Sequence, residues 1–185
     1  MEKQSHFSNA SRFGLMMGGI LVIVSLLLYL LGMVDMETGK SGILGNLLNY
    51  VISIGAIILG IQAYKKSNDG FLTLGDGVKQ GMLIGLVGGF VVAIYTVVFF
   101  MFIAPDMLDT IRETALAQAE QQGSMNEDSE DMVNSMMDIF VSPWFFFVTV
   151  IFMKFCLGLI IGLITGAIMK NERPYSADED METDA

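Results

Sequence analysis

Four long stretches without charge constrain this chain more than any other feature. Phe13 to Val34, Ser41 to Tyr64 and Gln80 to Pro105 contain no Asp, Glu, Lys or Arg, and Trp144 to Met169 contains only Lys154. Each exceeds the ~20 apolar residues that cross a bilayer as a helix. Four such helices in a chain of 185 residues would find no amphipathic partner to cover them in water. With 53% hydrophobic and 16% charged residues, composition points the same way. The expected fold class is therefore all-α, a polytopic membrane protein with four transmembrane helices and an extracytoplasmic helical hairpin between the third and fourth. Spans are expected at 13–34, 42–64, 80–105 and 143–169, with a leader over 1–12, an outer insertion over 106–142 and a disordered acidic tail over 171–185.

Lys3 and Arg12 precede the first run, yet its apolar part is too long for a signal peptide, and no small-residue cleavage site follows Gly32. Orientation follows from the basic residues. Lys3, Arg12, Lys65, Lys66, Lys79, Lys170 and Arg173 fall on one side of the four-span scheme, and Lys40 and Arg112 on the other. The positive-inside rule then puts both termini and the middle loop in the cytoplasm, and the net charge of -10 leaves that reading intact. Cys156 is the single cysteine, so no intrachain disulfide can form. His6, near the N-terminus without a cysteine or carboxylate cluster beside it, reads as solvated and incidental.

Small residues recur at helical spacing in every run. Gly81, Gly85 and Gly89 form one ridge and Gly158, Gly162 and Gly166 another, with Lys154 one turn ahead of the second. Such glycine-zipper ridges let backbones approach in a solvent as apolar as the helices. Counting from the cytoplasmic ends matches Gly85 and Gly89 in depth to Gly162 and Gly166. Span one has Gly14, Gly18, Ser25, Tyr29 and Gly32 roughly along one face, and span two has Asn49, Ser53, Ala56, Gly60 and Ala63. In the link between spans two and three, Asp69-Gly70 signals a turn, and Phe71, Leu72 and Leu74 form an apolar patch fit for the membrane surface or for packing.

The segment GFLTLGDGVKQGMLIGLVGGFVVAIYTVVFFMFIAPD, with its glycine-rich entry, the Ile94-Tyr95 pair and the exit at Ile103-Ala104-Pro105-Asp106, resembles domain-of-unknown-function family 4199. The resemblance extends to the Gly14 to Gly19 start of span one and the Gly60 to Lys66 end of span two. It implies a bacterial membrane protein of this length, and it implies no activity and no catalytic residue.

The insertion from Asp106 to Ser142 has nine acids and one Arg112. Leu108, Ile111, Ala115 and Ala119 recur at helical spacing, as do Met132, Met136 and Phe140. Ser124-Met125-Asn126-Glu127 fits a capping box for the second helix, and Pro143 marks a bend or restart before span four. Glu127, Asp128, Glu130 and Asp131 lack the spaced ligands of a calcium loop and read as a solvated face. Met125, Met132, Met136 and Met137 read as the packed side of that helix rather than as soft metal ligands.

Lys154 is the sharpest polar signal, since a charge inside a span costs ~2.5–3.5 kcal/mol on insertion scales. Its depth allows the side chain to snorkel outward. The competing reading places it inside the bundle, where Tyr29, Asn49, Tyr95 and Thr96 fall at the same depth; a lone interior cation there suits an anionic ligand, lipid headgroup or anion path. The sequence contains no P-loop, metal-ligand spacing or nucleophile with a histidine base, which argues against an enzyme, a cofactor or a nucleic-acid partner. Two roles remain, a non-enzymatic accessory or assembly protein acting through helix packing and its acidic hairpin, or a small oligomeric carrier or pore with Lys154 near the path. Expected partners are the lipid bilayer, a second copy of the chain or another membrane protein.

Overall fold

The computed structural model describes residues 5–35, 41–121 and 130–172. These residues form α1 (His6–Leu30), α2 (Gly42–Ser67), α3 (Leu74–Val98), α4 (Asp106–Gln121), α5 (Glu130–Phe140) and α6 (Pro143–Met169). Four of the helices, α1, α2, α6 and α3 with its extension to Ile103, are long and apolar enough to cross a membrane. Their outward faces are apolar as well. Leu30, Ile43 and Ile168 are each at least 75% exposed, a surface suited to lipid rather than water.

Local chemistry sets where each helix begins. Ser5 caps α1 by accepting from Ser8 N–H, so the helix starts at His6 and absorbs most of the stretch expected to be a leader. At α3, Thr73 accepts from Asp76 N–H while the Asp76 carboxylate accepts from Thr73 N–H. That reciprocal box adds a polar turn and a half ahead of Gln80. Ser142 caps α6 and Pro143 takes its first position, where the missing N–H has no intrahelical role, so span four restarts rather than bends.

Helix α3 is central, lying against α6 on one face and α1 on another, with α2 touching all three. The seam with α6 is backbone against backbone. A Cβ on Gly162 would lie 2.8 Å from Gly77 O and 3.2 Å from Gly81 Cα, and one on Gly81 or Gly85 would collide with the carbonyl of Gly158 or Lys154. Gly166 meets Gly77, and Gly89 meets Lys154. The two ridges thus face each other, but about two turns out of the expected register. The depth count began at Gln80, whereas α3 begins six residues earlier. Gly14 and Gly18 of α1 fit against Val87 and Val91 of α3.

After α3, Phe99–Ile103 winds one π-helical turn. Its wide turn brings Phe99 and Phe100 together into a core with Ala104 and Met107. Leu108 and Ile111 of α4 pack on the same cluster, so α4 folds back over this end of the bundle. Arg112 pairs with Asp138 at 2.7 Å to join α4 to α5, and Phe140 meets Phe145 edge-on where α5 hands over to α6. Met132 and Met136 are exposed, which corrects their assignment to the packed side of α5: none of the described side chains of this eleven-residue helix is buried, and it is held to its neighbours toward its end, by Asp138 on Arg112 and Phe140 on Phe145. Ser124 to Glu127, Met125 and Asp128 lie outside the described residues, and so do the side chains of Glu130 and Asp131 and nearly all of the acidic tail.

At the opposite end, Asp69 and Gly70 both adopt positive φ, and Gly70 N–H bonds Lys65 O to close α2. Leu72 is fully buried and exchanges two backbone hydrogen bonds with Asn171, so the apolar link packs on the bundle. Lys65 Nζ donates to Met169 O, which satisfies the end of α6.

Candidate functional site

Lys154 faces the bundle interior. Its residue is 8% exposed, and Nζ donates to Asn49 Oδ1 and to Ser53 Oγ, both at 2.7 Å. Packing register explains why it does not snorkel. Because Lys154 shares the ridge of Gly158, Gly162 and Gly166, seating that ridge on α3 directs the lysine into the seam. Gly89 accommodates its stem, since a Cβ there would lie 2.9 Å from Lys154 Cβ. Leaning toward the start of α6, the side chain reaches the first half of α2. Ser53 is fully buried and donates to Asn49 O, which leaves its lone pair for the lysine. Both partners are neutral acceptors. The arrangement ties α6 to α2 across α3 as a polar latch.

Tyr29, Tyr95 and Thr96 do not join it. They line a separate cavity of about 140 Å³ between α1, α3 and the start of α4, together with Ser25, Phe99 and Met107. Thr96 Oγ1 donates to Val92 O within its own helix. The Tyr95 hydroxyl is buried beside Ser25 and Tyr29 without a well-formed hydrogen bond. Rings crowd one wall, with Tyr29 edge-on to Phe99 at 5.0 Å and Tyr95 tilted against it at 5.7 Å. The four-helix polar site expected around Lys154 is therefore two sites, because equal depth on a helix does not fix the face.

A third polar group occupies the other end of the bundle, and sequence reasoning missed it. Asn9 and Gln80 are almost completely buried. Asn9 Nδ2 donates to Gly60 O and to Gln80 Oε1, so the Gln80 amide turns its nitrogen to His6, bonding the backbone O at 3.0 Å and Nδ1 at 3.1 Å. Nδ1 then accepts. The neutral ring carries its proton on Nε2, 2.9 Å from Tyr64 Oη and 3.4 Å from Asp76. His6 also stacks on Tyr64 with centroids 4.4 Å apart. Half-buried rather than freely solvated, His6 fastens the start of α1 to α2 and α3. Its signal was the i, i+3 pair His6 and Asn9 on a helix that starts earlier than the apolar run.

Among the described residues, no group of three or more His, Cys, Asp or Glu side chains is arranged to hold a metal ion. Cys156 is a free thiol.

Fold and site together define a class: a small helical protein with four helices of membrane-spanning length, a backbone-packed seam and buried polar ties between helices. More particularly, the chain belongs to the family described as protein of unknown function DUF4199, whose model matches residues 12–171. No curated protein and no solved structure matches it.

Proposed function

We propose that this is a non-enzymatic accessory or assembly protein of the bacterial cytoplasmic membrane, with both termini inside and the α4–α5 hairpin outside. One observation carries the reading. The bundle is tied by backbone contacts and internal hydrogen bonds, whereas α5 leaves Met132, Met136 and Ile139 exposed along one face at i, i+4, i+7 spacing. A rigid base that presents an acidic, partly apolar hairpin is suited to holding another membrane or surface protein. The carrier reading has less support. Lys154 donates to Asn49 and Ser53 within the bundle, and it does not line the cavity formed by Tyr29, Tyr95 and Thr96.

A photo-crosslinking residue at Met136 in the full chain, expressed in its membrane, tests this. The expected result is a discrete protein adduct that disappears when Ile139 is changed to Ser. Crosslinks to lipid alone would overturn the assignment.

A further inference from the structure

The cavity beneath α4 has a chemical character of its own, and the accessory role neither requires nor supplies it. At about 140 Å³ it is close in size to the engineered apolar cavity of ~150 Å³ that takes up benzene, so it can admit a compact molecule of five or six heavy atoms. Its lining combines aromatic rings with hydroxyl-bearing side chains. Tyr29, Tyr95, Phe99 and Phe100 supply the rings, and Ser25, Ser41 and Thr96 the aliphatic hydroxyls. The π-helical turn makes this possible by turning two consecutive phenylalanines toward the same core.

The described charge beside the cavity is mostly acidic. Met107 lines it from α4, whose first turn has Asp106 and Asp109, and Arg112, further along that helix, is paired with Asp138. Lys154 does not line the cavity and bonds Asn49 and Ser53 instead. Aromatic quadrupoles and hydroxyl oxygens attract cations, and an acidic approach raises their local concentration. An ordinary ammonium would need several strong acceptors once desolvated, whereas a methylated one needs mainly ring faces.

We infer that the cavity formed by Tyr29, Tyr95, Phe99 and their neighbours binds a small quaternary ammonium group. The group can belong to a free solute or to a lipid headgroup, and the two share the recognition chemistry.

The test uses the full chain in bilayers free of choline lipids, with tetramethylammonium as probe and tert-butanol as an uncharged comparator of similar size, read by saturation transfer to the ligand methyl protons. Tetramethylammonium is expected to bind saturably, and tert-butanol at least tenfold more weakly. Phe99→Leu and Tyr29→Leu are each expected to weaken binding at least tenfold, while Tyr95→Phe, which keeps the ring, changes it less than about threefold. Ser25→Leu fills the space without removing a ring and is expected to abolish binding, which keeps the test decisive if a ring variant misfolds. Competition on adding phosphatidylcholine to the bilayer identifies a headgroup as the source; unchanged binding identifies a free solute. Absence of saturable binding, equal binding of tert-butanol, or indifference to Ser25→Leu would overturn the inference and leave a water-filled void.

Discussion

At Lys154 two opposing terms are of similar size. Placing the ammonium in a span costs ~2.5–3.5 kcal/mol, and each hydrogen bond from a charged donor returns about 1.5–3 kcal/mol. Lys154→Met is therefore expected to change stability by less than about 2 kcal/mol, because cost and return largely leave together. Asn49→Ala removes an acceptor and leaves the charge, so it is expected to destabilise by about 1.5–3 kcal/mol. Combining the two should relieve most of that loss. Reversible denaturation in mixed micelles measures all three, and an Asn49→Ala cost that is the same with Lys or Met at 154 would show that the latch is not energetically coupled. His6→Ala loses the ring stack and one partner of buried Gln80, for an expected about 1–3 kcal/mol. At this scale the sequence revealed which residues were unusual but not which of them meet. Asn49 was legible as a depth-mate of Lys154, yet Ser53, one turn further along α2, read as a small packing residue until its hydroxyl was seen beside the lysine.

Helix α3 organises the elements because its glycines serve two faces. Gly77, Gly81, Gly85 and Gly89 admit the backbone of α6, and Gly88 lies against Met17 and Gly14 O of α1. A methyl at Gly81 would collide with Gly158 O, so Gly81→Ala is expected to cost about 1–3 kcal/mol through forced separation of the helices. Gly55 and Gly19 have nothing within 4 Å of a built Cβ, and Ala at either should be neutral or stabilise by up to about 1 kcal/mol. Thermal unfolding of the three variants checks the contrast, and equal effects would mean that the seam is looser than described. The pairing of the two ridges could be read from spacing alone. Their register could not, since it depends on where α3 begins, and that is decided by the Thr73–Asp76 box in a segment that looks like a loop.

For the whole molecule, the four long apolar runs foretold four membrane-length helices, and the residue spacing after Pro105 foretold a helical hairpin. What could not be read was the return of α4 over the bundle, because Met107, Leu108 and Ile111 gain their meaning from the π-helical turn that presents Phe99 and Phe100 together and from Tyr29, far away in sequence. The hairpin's ion pair is a weaker tie than this packing. Arg112 and Asp138 are 40% and 60% exposed, so Arg112→Ala should shift stability by less than about 1 kcal/mol, checked by the same denaturation assay.

The central claim is a bundle that is dry around Lys154 and bears an accessible hairpin. Membrane-impermeant maleimide labelling of Ser53→Cys and Met132→Cys, each in a Cys156→Ser background in intact cells, tests it most directly. The account predicts labelling at position 132 and none at 53. Labelling at 53 would contradict it, revealing a water-filled path to Lys154 and favouring the carrier reading over the accessory one.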